Sequence, residues 1–145
     1  MLKLALTAAL AAAASATPAL AKDITVKMKN QGAGGAMVFE PAFVKAMPGD
    51  VVHFVPTDPS HNAETIPTML PAGVTSTKGQ MNKEFVLPVK TPGVYGIKCM
   101  PHYSMGMIAL VQVGNGPSPN LAAAKAVKLA PFAQKRMTPL LAQAK

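Results

Sequence analysis

Lys98-Cys99-Met100-Pro101-His102-Tyr103-Ser104-Met105-Gly106-Met107 concentrates more chemistry than any other stretch of this chain. It holds the only cysteine, a histidine three positions on, and a methionine five beyond that. A second histidine stands well upstream, in Ser60-His61-Asn62. One thiolate, two imidazoles and a thioether are the donor set of an electron-transfer copper site. Thiolate and thioether are soft and suit Cu(I), and imidazole suits both oxidation states. A trigonal His/His/Cys plane with a weak axial Met is acceptable to each state, so little has to move when the electron does. Two other readings exist: a buried free Cys among core methionines, and a zinc site of Cys plus two His with an open position. Neither uses the Cys-x2-His-x4-Met spacing, which fits only copper.

The flanks of this stretch predict the fold. Residues 93–99 alternate into the site, and residues 107–113 form a final strand. That strand carries Ile108, Leu110 and Gln112 on one face and Ala109, Val111 and Val113 on the other. Upstream, residues 23–29 alternate apolar and polar, as a strand with one buried face does. Residues 30–36 are Gly-rich and read as a turn. Phe43, Val44 and Ala46 make a short strand stopped by Pro48-Gly49-Asp50, a turn signal. Residues 51–55 follow, with Val52 and Phe54 inward and His53 outward. Residues 56–60 form a loop that delivers His61. Thr65 and Ile66 read as a brief strand, residues 69–81 as an irregular loop with one helical turn, and residues 84–87 as a strand. Short strands spaced by turns read as an all-β sandwich. After a linker at 114–119, residues 121–129 are Ala-rich, and Phe132, Arg136, Leu140 and Leu141 recur at helical spacing. Two short helices packed on the sandwich are expected there. A membrane-surface helix is the alternative for this basic tail, and Pro131 and Pro139 argue against a long amphipathic face.

Residues 1–21 read as a secretory signal: Lys3 begins it, residues 4–14 are apolar, and Ala19-Leu20-Ala21 is a small-residue cleavage site. The apolar run is too short to span a membrane. The expected organisation is a cleaved signal at 1–21 and one domain at 22–145, with its helical extension from about 118. Export implies an oxidising compartment, where one cysteine cannot form an internal bridge. Metal ligation leaves such a thiol deprotonated and shielded. The chain is basic, with a formal charge of +8. It has no basic stretch interleaved with aromatics, which argues against nucleic acid. Attraction to an acidic redox partner fits the charge better. No Gly-rich phosphate loop, carboxylate dyad or internal repeat appears. A thiol hydrolase using Cys99 and His102 lacks an orienting residue and an oxyanion donor. A copper-delivery protein would bind at surface Met and His groups, whereas several of the ten methionines occupy core positions. Around the site, Asn62 is placed to hydrogen-bond across to the Cys99 loop. Glu64 either braces the same turn or is solvated.

The 98–107 loop closely resembles that of the pseudoazurins, within the cupredoxin (type 1 copper) family. Gly35-Ala36-Met37-Val38-Phe39-Glu40-Pro41, Pro48-Gly49-Asp50 and the tail after Val113 agree with them too. The resemblance implies a Greek-key sandwich with two short C-terminal helices. It implies one copper ion, cycling between Cu(I) and Cu(II), on His61, Cys99, His102 and Met107, with Met105 a surface residue nearby. Asn62 and Pro101 then surround the ligands, and Met37, Pro56, Pro101 and Met105 form an apolar patch around His102. Such proteins are monomeric periplasmic carriers rather than enzymes. They exchange electrons with copper nitrite reductase or c-type cytochromes, docking through lysines that match Lys78 and Lys98. The chain departs from the pattern at Gln31 and Pro59, where family members often carry Lys.

Overall fold

A computed structural model describes residues 20–145, so most of the 1–21 segment lies outside the described residues. Eight strands follow in chain order: β1 (Asp23–Gly32), β2 (Gly35–Glu40), β3 (Phe43–Ala46), β4 (Val51–Pro56), β5 (Glu64–Thr65), β6 (Phe85–Pro88), β7 (Gly93–Lys98) and β8 (Ile108–Val113). Two helices close the chain, α1 (Leu121–Ala126) and α2 (Pro131–Gln143). The strands form two four-stranded sheets, ordered β2-β1-β4-β6 and β3-β8-β7-β5. The chain changes sheet at every connection except β1–β2 and β7–β8. β1–β4 and β3–β8 are parallel and the remaining pairs antiparallel.

Alternation decides what lies between the sheets. Val26 and Met28 of β1, Val52 and Phe54 of β4, and Phe85 and Leu87 of β6 point inward. They meet Tyr95 and Ile97 of β7 and Ala109, Val111 and Val113 of β8. Phe54 stacks edge-on against Phe39, ring centroids 5.5 Å apart, a preferred aromatic geometry. β8 is buried along its whole length because its other face is covered too. Ile108 and Leu110 pack with Met69 and with Ala124, Ala133, Met137 and Leu141 of the two helices. A strand apolar on both faces needs a layer on each side, and the C-terminal helices are that second layer.

Three expectations need correction. The stretch 30–36 is not all turn: β1 runs to Gly32 and β2 begins at Gly35, so only Ala33 and Gly34 bridge a tight hairpin. Glycine marked a turn there, but cross-strand pairing continues through polar residues on this sheet edge, and Glu40 folds back to accept the Ala33 N–H at 2.9 Å. The helical turn placed within 69–81 instead occupies Pro67–Met69, started by a proline that needs no N–H partner. Pro139 does not interrupt α2, which runs 13 residues through it. Ala133, Met137 and Leu141 share the buried face, whereas Pro139 lies on the exposed one. Among the described residues, no helix is long and apolar enough to cross a membrane.

Candidate metal centre

β7 and β8 are antiparallel neighbours, and the loop joining them carries Cys99, His102 and Met107. Its closure is dictated by main-chain bonds. Cys99 N–H donates to the Met107 carbonyl at 3.0 Å and Met107 N–H to the His102 carbonyl at 3.1 Å. Between them Tyr103–Met105 makes one turn of 3-10 helix, ended by Gly106 in the left-handed region at φ 85°. A Cβ there would lie 3.0 Å from both the Arg136 side chain and the Phe132 carbonyl oxygen, so crowding adds to the positive φ in favouring glycine. The loop thus returns on itself with little freedom.

His61 arrives from the other side, on the connection between β4 and β5. Asn82 N–H donates to its carbonyl at 2.8 Å. Its Nε2 meets the Asn30 side-chain oxygen at 2.9 Å, which leaves Nδ1 directed inward. That Nδ1 stands 3.1 Å from His102 Nδ1, and Cys99 Sγ stands 3.8 and 3.6 Å from the two ring nitrogens. Donors each about 2.0–2.3 Å from one ion are about 3–4 Å apart, so this triangle has the dimensions of a metal site. At 3.1 Å at most one of the two facing nitrogens carries a proton.

Burial and charge agree. His61, Cys99 and Met107 are fully buried, whereas His102 is partly exposed. Burial pushes the His61 pKa down, helped by the neighbouring His102, and keeps the imidazole neutral, as a ligand must be. Burial likewise pushes the Cys99 thiol up, while main-chain N–H groups of Asn62 and His102 favour the thiolate. A thiol held in such a place loses its proton to a metal rather than to water.

Asn62 does bond across: its side-chain oxygen accepts the Met100 N–H at 2.8 Å, and its amide donates to the Gly79 carbonyl at 3.2 Å. Glu64, left open between bracing and solvation, is buried. It accepts from Asn62 at 3.3 Å and pairs with Lys98 at 3.2 Å and Lys78 at 3.8 Å. The two lysines therefore share one carboxylate, and Lys98 also lies 5.2 Å over the Tyr103 ring. Pro101 and Met105 are exposed, whereas Met37 and Pro56 are half-buried. His53 faces outward as expected, but with both ring nitrogens held, by Glu84 at 2.6 Å and Asp23 at 3.0 Å.

Sequence reasoning missed Asn30, Asn82, Met100 and Arg136. Asn30 was read as part of a turn, and Asn82 sits in a loop with no local motif. Met100, between Cys99 and His102, exposes about half its surface (49%). Arg136 was counted only as a helix-spacing residue, yet it bonds three carbonyls about a hundred positions away or at the ligand loop itself.

Comparison with known proteins gives the family. Residues 26–114 match the family model of copper binding proteins, plastocyanin/azurin family. A pseudoazurin from Paracoccus pantotrophus is 54% identical over 136 residues, covering 94% of this chain and 93% of its own. The crystal structure of pseudoazurin from Methylobacterium extorquens AM1 superposes with a TM-score of 0.80 at 50% identity, covering 83% of this chain and 98% of that one. Native pseudoazurin from Hyphomicrobium denitrificans gives 0.79 at 44% identity, covering 85% and 98%. The chain belongs to the pseudoazurins, copper-binding cupredoxins that carry electrons and are not enzymes.

Proposed function

We propose that His61, Cys99, His102 and Met107 hold one copper ion and that the protein is a monomeric periplasmic shuttle between copper nitrite reductase and c-type cytochromes. A single observation carries the ligand assignment: three soft or borderline donors, two of them on buried residues, converge within 3.1–3.8 Å. Met107 is fully buried in the same core, whereas Met105, its competitor for the axial place, is 47% exposed. Copper bound there supplies a one-electron Cu(I)/Cu(II) couple.

The residues around it do the rest. Neighbouring strands hold the ligand loop at both ends, which limits rearrangement on electron transfer. Main-chain N–H groups at Cys99 moderate the charge on sulfur, and the apolar surroundings keep water out. His102, partly exposed, gives the electron a way in and out through a patch formed by Met37, Pro56, Pro101 and Met105. Lys78 and Lys98 draw acidic partners toward that patch. The periplasmic reading rests on residues 1–21 as a cleaved signal before a domain at 22–145.

Absorption spectroscopy of copper-loaded protein tests this. An intense visible thiolate-to-copper band is expected, and Cys99→Ser should abolish it while leaving the far-UV circular dichroism unchanged. A colourless copper protein, or a band that persists in the variant, would overturn the assignment. Stopped-flow reduction by a c-type cytochrome and oxidation by a copper nitrite reductase test the partners separately.

A further inference from the structure

Arg136 lies on α2, far along the chain from both segments it touches. Its Nη1 donates to the Met37 carbonyl at 2.8 Å and to the Gly106 carbonyl at 3.1 Å, and its Nη2 to the Ala36 carbonyl at 2.9 Å. Among the described residues it has no carboxylate partner, so its charge is held by carbonyl oxygens alone. These acceptors are not ordinary. Met37 stands at φ 50° and Gly106 at φ 85°, both in the left-handed region, which is strained for a non-glycine residue such as Met37. Such a conformation persists only where the surroundings hold it. Gly106 immediately precedes Met107, and Met37 belongs to the apolar patch proposed above. The hairpin belongs to one sheet and the ligand loop to the other, so one guanidinium joins the two halves of the sandwich beside the site.

We infer that Arg136 is a positioning residue of the metal centre: it fixes the carbonyls of Met37 and Gly106, and through them the placement of Met107 and of the contact face. α2 is then a brace for the ligand loop as well as a cover for β8. This rests on the ligand assignment above. Chemistry explains why arginine suits the position. Three acceptors in two directions match a planar fork of donors, whereas a lysine ammonium cannot span them all. A cleft of about 630 Å³ runs alongside, lined by Val38, Pro41, Phe132 and Leu140, so an uncharged side chain of similar length fits without overpacking.

The test uses Arg136→Met and Arg136→Lys in the full-length mature protein. In metal-free protein, hydrogen exchange at the Gly106 and Met107 amides should quicken roughly tenfold or more in Arg136→Met, as expected for losing charge-assisted hydrogen bonds. Arg136→Lys should fall between. In copper-loaded protein, Arg136→Met should shift the reduction potential and slow electron self-exchange, again with Lys intermediate. If Arg136→Met lowers the melting temperature but leaves these amides, the potential and the self-exchange rate unchanged, Arg136 only anchors the helix and the inference fails. Should Arg136→Met not fold, Arg136→Lys alone decides by the same readouts. Absence of a visible thiolate band in the unmutated protein overturns the ligand assignment instead, and the metal-free exchange experiment still decides whether Arg136 holds the loop.

Discussion

Met105 and Met107 stand two positions apart, yet one is exposed and the other is fully buried. The turn ended by Gly106 separates them. Met107→Gln should keep a coloured site but lower its reduction potential, because a harder oxygen favours Cu(II). Met105→Gln should barely change the spectrum. Voltammetry of both variants checks the pair, and reversed effects would exchange their roles. His53 poses a different question at this scale. Hydrogen bonds to Glu84 and then Asp23 push its pKa above the ordinary value, outweighing burial. A raised folded pKa means that protonated His53 stabilises the fold. That contribution is fully present below the unfolded value of about 6.5 and is lost as pH rises through the folded pKa. His53→Gln should therefore lower the melting temperature more at pH 6 than at pH 9. The charged groups facing this ring are Asp23 from β1 and Glu84 just before β6. A loss equal at both pH values would assign His53 a packing role only.

At the scale of elements, α2 carries a proline in its interior. A proline there removes an N–H and costs a helix about 3 kcal/mol relative to alanine. Pro139 is exposed, so Pro139→Ala leaves no cavity and restores a donor toward the Lys135 carbonyl. A gain on the order of 1–2 kcal/mol is expected by urea denaturation, and a loss would mean that the helix depends on the ring. This helix also shows where sequence reading stops. Its apolar spacing was legible, and so were both faces of β8, because period and burial leave their mark on neighbouring residues. The nearness of Cys99 and His102 was legible because one short loop carries both. The end of β1 was not, since polar edge residues pair without an alternating signature. Nor was the buried place of Glu64, set by Lys78 and Lys98 from two other segments. Arg136 was invisible for the same reason: its three acceptors are distant in sequence or belong to another element.

For the whole molecule, charge acts at range and apolar contact acts close. Screening sets in over about 8 Å at physiological salt. Raising ionic strength should slow association with an acidic partner while leaving electron transfer within the formed complex nearly unchanged. Lys78 is the position at which to probe this, being largely exposed and the more distant of the two cations at Glu64. Lys98 is less suitable, because its removal takes the nearer counter-charge from a buried carboxylate. Lys78→Glu should lower the second-order rate at low salt and flatten its salt dependence in stopped-flow reduction. A salt-independent rate in the unmutated protein would remove the steering role.

β8 is hydrogen-bonded on both edges, by β3 and β7, and covered on both faces. Local opening is least frequent where edges are paired and faces are packed, so its amides should be the last in the molecule to yield to deuterium. The ligand loop leaves from β7 and re-enters at β8, and its methionine is the residue just before that strand. His61, by contrast, comes from a connection with only a two-residue strand beyond it. The two sides of the centre therefore differ in persistence. The amides around His61 should therefore take up deuterium before those of β8 do.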